Sequence, residues 1–248
     1  MNMHSDRVLE YKHLEEVGST NDFLRAYEPM AEITVVSASY QTKGRGQMGN
    51  TWISNAGENA LFSVLVCPSA LKAADGFVLS QAMALSIKDV LDGYLEGISI
   101  KWPNDIYCGN EKICGTLIEN VLMGKFVGRS VIGSGINVNQ TEFPDGLAAP
   151  ATSLRTYINS MVSPADIIRS VVERFARYYE EVQAGCYDHI RAAYHRHLYL
   201  RGERHWFQDE TGTFVGVISH VEQDGHIIIV DEDGLSRRYA FKQVKLQR

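Results

Sequence analysis

The sequence predicts an α/β body followed by a small all-β domain. Over residues 1–199, short β-branched runs alternate with segments whose apolar residues recur at helical spacing. Over residues 200–248, only short strand-like runs and Asp-Gly turns remain, which is typical of a small β-barrel or SH3-like domain. A chain of 248 residues can hold one large and one small domain. We therefore predict a boundary between residues 199 and 200.

Six apolar runs in the body predict strands, and four periodic segments predict helices. The predicted strands span residues 13–17, 33–39, 61–66, 98–102, 112–121 and 126–138. The first helix begins at Ser19 or Thr20, both suitable N-caps, and reaches Tyr27. The other helices span 78–95, ending before Gly97; 163–184, with Ser163 and Pro164 at its start and Gly185 after its end; and 187–198.

The C-terminal domain is predicted to contain strands over 213–221, 227–230 and 237–241, with hairpin turns between them at Asp224-Gly225 and Asp233-Gly234. A calcium site at the second turn is rejected because the rest of an EF-hand loop is missing. His195 and His197 lack the spacing of metal ligands, so we predict that they lie on an exposed helix face.

The composition is that of a globular protein, with 45% hydrophobic and 22% charged residues. The formal net charge of −6 argues against DNA binding, which needs a basic face. The four cysteines form no C-x-x-C pair, so neither a zinc site nor a redox motif is predicted. The N-terminus is too polar for a signal peptide, and no apolar run approaches the roughly 20 residues of a membrane span. We expect a cytoplasmic protein that binds neither DNA nor membranes.

A glycine-rich segment at residues 44–49 matches G-x-G-x-x-G, the fingerprint of dinucleotide-binding turns. That fingerprint requires a helix directly after it, whereas residues 50–57 are polar and have no helical period. Two interpretations remain. The segment is either a mobile surface loop or an anion-binding loop, in which glycine N–H groups approach phosphate and Arg45 adds a charged guanidinium.

Two further segments place polar residues beside strand ends. KWPND at residues 101–105 puts Asn104 and Asp105 after a predicted strand, where a turn can direct side chains into a pocket. Lys112 opens the run KICGTLIE, in which Gly115 indicates a bulge or the close approach of a ligand. Taken singly, these residues are explained at least as well by an ordinary turn and a solvated lysine.

The segment GSGINVN at residues 133–139 interrupts an apolar strand with two glycines. Gly133 and Gly135 weaken a strand unless something packs against the bare backbone. By strand alternation, Asn137 and Asn139 would share one face. A bulged strand with polar residues facing outward explains this segment equally well.

Together and in this order, these segments resemble the motif series of biotin–protein ligases. The series comprises STN at residues 19–21, QTKGRGQMGNTW, KWPND, KICGTLIE and GSGINVN, and it extends over residues 18–139. The resemblance implies a class II synthetase-like biotin/lipoate ligase body, in which a mixed sheet is flanked by helices, followed by an SH3-like domain. It also implies an enzyme that uses ATP and Mg²⁺ to convert biotin to biotinyl-5′-AMP. The biotinyl group is then transferred to a lysine of a biotin carboxyl carrier protein domain.

The resemblance also implies roles for individual residues. Biotin is expected to contact Ser19, Thr20, Gln41, Gly44, Arg45, Gly46, Lys112 and Gly115. The nucleotide is expected near Trp52, Asn104, Lys112 and Asn137. Catalysis is expected to depend on Lys112, Arg45 and Asp105. The role of Asp105 is a hypothesis from the chemistry of the second step, which needs a neutral lysine amine that an acidic group can orient or deprotonate. No metal ligands are assigned.

Two features depart from many bacterial members of this family. Gln47 and Met48 stand where an arginine-rich GRGRRG loop is common, so the loop carries less positive charge. The N-terminal helix-turn-helix of repressor-type members is not expected, which implies a monofunctional ligase, either monomeric or homodimeric. The alternatives are a lipoate–protein ligase of the same fold, disfavoured by KWPND and GRG, and a non-catalytic biotin-binding module, disfavoured by Lys112 and Arg45.

Overall fold

The computed structural model describes residues 9–147 and 149–247, which form two β-sheets with helices packed on the larger one. The strands of the larger sheet are β1 (Leu9–Val17), β2 (Ile33–Gln41), β3 (Ala60–Val66), β4 (Ile98–Lys101), β5 (Asp105–Cys108), β6 (Glu111–Met123) and β7 (Phe126–Ile136). Their order is β1-β2-β3-β7-β6-β5-β4. The sheet is mixed because β1 and β2 are parallel while the other neighbours are antiparallel.

The helices are α1 (Thr20–Arg25), α2 (Phe77–Leu91), α3 (Leu154–Ile158), α4 (Pro164–Gln183) and α5 (Asp188–Arg196). Two helix starts confirm their predicted caps. Ser19 Oγ accepts from the N–H of Asp22, and Ser163 Oγ accepts from the N–H of Asp166 directly before Pro164. Within the described ranges, no helix has the length and apolar character needed to cross a membrane.

The smaller sheet is antiparallel and comprises β8 (Arg204–Asp209), β9 (Gly212–Val221), β10 (Ile227–Asp231), β11 (Ser236–Tyr239) and β12 (Lys245–Leu246). Its order is β11-β10-β9-β8-β12. Both predicted turns are confirmed, because Gly225 and Gly234 have positive φ and each N–H donates to a carbonyl three residues earlier. The predicted fold class is therefore confirmed, while the boundary at 199/200, between α5 and β8, stays a prediction.

The two faces of the large sheet are covered differently. One face packs against α2 and α4, and its buried side chains include Val35, Val64 and Ile132. On the other face, α1 builds only a small core, formed by Leu24, Val36, Leu65 and Val131. The cavity described below lies on the remainder of this second face.

Several predicted boundaries are wrong. β7 ends at Ile136, so Asn137 and Asn139 lie beyond the strand and share no strand face. The second helix ends at Leu91, before its predicted end, and β1 begins at Leu9, before its predicted start. The unpredicted elements β5, α3, β8 and β12 are at most six residues long. Such short, partly polar segments carry too few periods for a pattern to be recognised.

The two sheets share one hydrophobic core, and His195 lies at their junction. Its Nε2 atom is 2.9 Å from the carbonyl oxygen of Val221 in β9, and Trp102 Nε1 donates to the carbonyl of Gly225 at 2.8 Å. The prediction of an exposed helix face for His195 and His197 is wrong, because both are partly buried. The C-terminal sheet covers this end of α5.

We expect this junction to weaken in mild acid. Burial lowers the pKa of His195 below its usual value, although the hydrogen bond with Val221 acts in the opposite direction. Below the unfolded pKa of about 6.5, the unfolded chain takes up this proton before the folded chain does, so stability falls as the pH drops. Between about pH 7.5 and 5.5, the unfolding temperature should therefore fall less for His195→Gln than for wild type. Equal pH dependence would contradict the prediction.

Candidate active site

A cavity of about 830 Å³ opens on the second face of the large sheet, a size suited to a small-molecule ligand. Its walls come from the start of α1, the glycine-rich segment, β6 and β7, and the C-terminal sheet. Most predicted site residues line it: Ser19, Thr20, Gln41, Arg45, Gly46, Trp52, Asn104, Asp105, Lys112, Gly115 and Asn137. Gly44 is not a lining residue, since the main chain of Trp52 covers it.

One end of the cavity is polar and is lined by Ser19, Thr20, Asn21 and Gln41. We call these four residues, together with Ser63, which is buried against them, the recognition end. The N–H and hydroxyl of Thr20 donate to Gln41 Oε1 at 2.8 and 3.1 Å. Ser63 Oγ lies 2.7 Å from Thr20 Oγ1 and 2.6 Å from Asn21 Oδ1. The structure thus brings Ser19, Thr20 and Gln41 to one end of the cavity and joins Thr20 and Gln41 in a hydrogen-bonded network.

The middle of the cavity is a glycine floor formed by Gly115, Gly133 and Gly135. Gly115 and Gly135 are cross-strand partners on β6 and β7. A Cβ atom at Gly135 would lie 2.4 Å from the ring of Trp52, and one at Gly133 would lie 2.0 Å from Asn21 Oδ1. The expected close approach to bare backbone is therefore observed, and the chain's own Trp52 and Asn21 make it.

The other end holds an ion pair between Lys112 and Asp105, whose Nζ and Oδ1 atoms are 2.7 Å apart. In a regular strand, side chains alternate between the two faces of the sheet, so Lys112 would lie on the face opposite Gly115, toward the helices. The pairing of β5 with β6 is not regular, because its register shifts at residue 113. This bulge buries Ile113 in the core and turns Lys112 toward the cavity. Both charged side chains are mostly shielded, with 28% and 22% exposure.

Arg45 does not join Lys112. Its guanidinium lies 2.7 Å from Asp22 Oδ1 and 3.0 Å from Glu119 Oε1, and Glu119 also accepts from Asn21 Nδ2 at 2.9 Å. Burial opposes ionisation of Glu119, but the hydrogen bonds from Asn21 and Arg45 outweigh it and hold the pKa of this carboxyl below its usual range. Contact between Arg45 and a phosphate stays a prediction, because each cation here has its own carboxylate partner.

The two asparagines predicted near the nucleotide also support the main chain. Asn104 Nδ2 donates to the carbonyl of Thr116, and the N–H of Thr116 donates back to the Asn104 carbonyl at 3.0 Å. Asn137 Nδ2 donates to the carbonyl of Thr152 at 2.9 Å. Nearby Cys114 is no nucleophile, because burial raises the pKa of its thiol to about 12.

Several residues that line the cavity or hold its lining in place were not predicted. Asn21 stands inside the STN motif but was not assigned a role, and Ser63 looked like an ordinary polar position within an apolar strand. Glu119 shares the cavity face of β6 with Gly115, a signal that strand alternation offers. Lining residues from distant parts of the chain had no local signal: Phe143, Leu147, Phe241 and Lys242.

Comparison with known proteins gives a consistent result. The model of the biotin/lipoate A/B protein ligase family matches residues 15–137. The bifunctional ligase/repressor BirA of Bacillus subtilis is 28% identical over 212 residues, a match covering 84% of this chain. The chain spans 65% of that relative's length. The biotin–[acetyl-CoA-carboxylase] ligase of Paracoccus denitrificans is 28% identical over 227 residues, covering 87% of this chain and 92% of that protein.

A solved structure shows the same fold over almost the whole chain. The biotin protein ligase from Aquifex aeolicus, in complex with biotin and ATP, superposes with a TM-score of 0.80 at 26% identity. The match covers 96% of this chain and 99% of that one. The region matched by the family model contains the glycine floor and the Lys112–Asp105 pair. The chain thus belongs to the biotin/lipoate A/B protein ligase family, and the relatives it resembles are biotin protein ligases.

Proposed function

We propose that this chain is a biotin–protein ligase. In the first step, the biotin carboxylate attacks the α-phosphate of ATP, forming biotinyl-5′-AMP and releasing pyrophosphate. In the second step, a lysine amine of a biotin carboxyl carrier protein domain attacks the acyl carbon, and AMP leaves. One observation carries the proposal: a single cavity contains a polar recognition end, a glycine floor that packs against Trp52 and Asn21, and a shielded Lys112–Asp105 pair.

The order of these features along the cavity follows the order of groups in biotin. Hydroxyl and amide groups of the recognition end suit the ureido group, which both donates and accepts hydrogen bonds. The apolar ring and chain then lie beside the Trp52 ring, which itself packs on the glycine floor. The carboxylate arrives at Lys112, whose Nζ lies next to Gly115.

The first step brings together two anions, so positive charge at the junction lowers the barrier. Lys112 Nζ provides that charge next to the glycine floor. Mg²⁺ would enter with ATP and neutralise its phosphates. Among the described residues that line the cavity, Asp105 is the only carboxylate, which fits an ion held mainly by substrate oxygens.

The second step needs an uncharged lysine amine, and Asp105 is the candidate group to orient or deprotonate it. Asp105→Asn should slow transfer from preformed biotinyl-AMP to the carrier by at least about tenfold. Transfer to hydroxylamine is the control, because that nucleophile is already neutral near pH 7 and should react at an unchanged rate. Equal carrier transfer by the variant and wild type would rule out this role.

The decisive test is mass spectrometry of a carrier domain incubated with this protein, biotin, ATP and Mg²⁺. We expect the mass of the carrier to increase by one biotinyl group on a single lysine. No increase, with an authentic ligase as positive control, would overturn the proposal. Because the family also includes lipoate ligases, calorimetric titration with biotin and with lipoate is the companion measurement. Tighter binding of lipoate would favour the alternative substrate.

A further inference from the structure

Glu119 has no part in the mechanism above, yet three parts of the protein meet at its carboxylate. It lies on β6 and contacts the glycine-rich segment through Arg45, with distances of 3.0 Å to Oε1 and 3.3 Å to Oε2. From α1, Asn21 Nδ2 donates to Oε2 at 2.9 Å, and Arg25 pairs with Oε1. Both carboxylate oxygens are therefore engaged, and the side chain is only 27% exposed.

Glu119 is connected to the recognition end by a continuous chain of buried polar contacts. Asn21 links the Glu119 carboxylate to Ser63, which contacts the hydroxyl of Thr20, which in turn donates to Gln41. Asn21, Ser63 and Thr20 are each at most 3% exposed. Buried hydrogen-bond networks of this kind hold their members in one arrangement, because a broken contact would leave an unpaired polar group.

Glu119 is connected to the glycine floor by a different route. Arg45 and Thr51 form an antiparallel bridge, the N–H of Gly46 donates to the Asn50 carbonyl at 2.7 Å, and the N–H of Trp52 donates to the Gly44 carbonyl at 3.0 Å. Residues 44–52 thus form a small hairpin. Because Arg45 and Trp52 belong to one hydrogen-bonded unit, holding Arg45 also holds the Trp52 ring against Gly135.

The position of Arg45 suits an anchor better than a second phosphate ligand. Lys112 Nζ reaches Gly115, whereas Arg45 pairs with Glu119, about 13 Å further along β6 at the usual rise of a strand. Burial alone would lower the pKa of Arg45, but its hydrogen bonds to Glu119 and the charges of Glu119 and Asp22 raise it. The guanidinium therefore stays charged and paired.

We propose that Glu119 is a positioning residue that anchors the hairpin 44–52 over the cavity and joins it to the recognition end. The inference rests on the proposed function in one respect: the kinetic test below uses biotin as the substrate. The hairpin meets the recognition end through Arg45 and covers the glycine floor through Trp52, so the anchor acts on the ligand bound along these two parts of the cavity. Loss of the anchor should weaken retention of biotin and leave the chemistry at Lys112 in place.

The kinetic test compares Glu119→Gln with the matched control Arg25→Gln. Glu119→Gln should raise the KM for biotin about fivefold, the size of effect expected when a cluster of partly exposed ion pairs is lost. Both kcat and the KM for ATP should change less than twofold. Arg25 shares the same carboxylate but comes from α1, so Arg25→Gln should change none of these values. A lower KM for biotin in Glu119→Gln would show that the Glu119–Arg45 ion pair hinders biotin binding instead of supporting it, and would overturn the proposal.

A ligand-free test separates this inference from the proposed function. Chymotrypsin cleavage after Trp52, followed by the mass of fragment 53–248, reports how tightly the hairpin is held. Without biotin or ATP, Glu119→Gln and Arg45→Gln should each be cleaved several-fold faster than wild type, and the double variant no faster than either. Unchanged cleavage in both single variants, or additive effects in the double variant, would overturn the proposal.

The cleavage test remains decisive if the proposed substrate is wrong. A protein that binds no biotin but shows the expected cleavage pattern would retain the anchor and lose the proposed function. Arg45→Gln serves as the second variant if Glu119→Gln folds poorly, because Arg45 is 37% exposed and lies on the hairpin itself. Arg25→Gln should be cleaved at the wild-type rate, and faster cleavage there would also count against the proposal.

Discussion

Replacing Lys112 with glutamine is expected to lower the rate of biotinyl-AMP formation about 100-fold, because a charge-assisted contact to the reacting anions is lost. The substitution also leaves Asp105 without its 2.7 Å ion-pair partner in a shielded part of the cavity, which adds to the repulsion of carboxylate and phosphate. Biotin-dependent exchange of pyrophosphate into ATP measures this step directly.

Lys125 supplies the control for that experiment. It lies in the exposed turn of the β6–β7 hairpin, outside the cavity, so Lys125→Gln should exchange pyrophosphate at the wild-type rate. Both lysines are carried by the same hairpin, so the comparison separates a local charge effect from a general effect on β6 and β7. If Lys112→Gln retained wild-type exchange, the assignment of Lys112 to the reacting centre would be wrong.

Replacing Gly133 with alanine is expected to weaken biotin binding about 50-fold and to destabilise the protein by about 1–3 kcal/mol. The new Cβ atom would lie 2.0 Å from Asn21 Oδ1, so one of the two must move. Asn21 is only 3% exposed and contacts both Ser63 and Glu119, so its displacement would disturb the whole recognition end. Calorimetric titration with biotin and thermal unfolding measure the two effects.

Gly128 is the matched control on the same strand. An alanine there would meet the side chain of Met123, which is flexible and 70% exposed and can move aside at little cost. Gly128→Ala should therefore bind biotin like wild type and unfold at nearly the same temperature. Equal binding by the Gly133 and Gly128 variants would show that Asn21 tolerates displacement, against the network described here.

The parts of the fold that were predictable have long or chemically distinctive signals. Helix α4 repeats its apolar positions over 20 residues and begins with Ser163 and Pro164, so both its existence and its start were predicted. The glycine turns of the C-terminal sheet were predicted because a positive φ favours glycine. β5 was missed because four residues are too few to show a strand pattern. Its pairing with β4 and β6 becomes visible only in the tertiary structure.

The residue types of the site were also predictable, but their arrangement was not. Gly133 and Gly135 indicated a close approach to the backbone, whereas only the packing identifies Asn21 and Trp52 as the groups that approach. Lys112 was identified by its motif, but the bulge at residue 113 decides that it faces the cavity. A shift of one residue in register reverses the face of a side chain, and such shifts depend on the neighbouring strand.

By itself, the sequence determined which local structures are possible: where helices are capped, where the chain turns, and which strands carry bare glycine. These properties depend on residues within a few positions of one another. The tertiary structure alone decided which charges meet. Arg45 and Glu119 are 74 positions apart, and their pairing depends on how β6, α1 and the hairpin 44–52 pack on one sheet. The same packing places Arg45 at the recognition end of the cavity and Lys112 at the other.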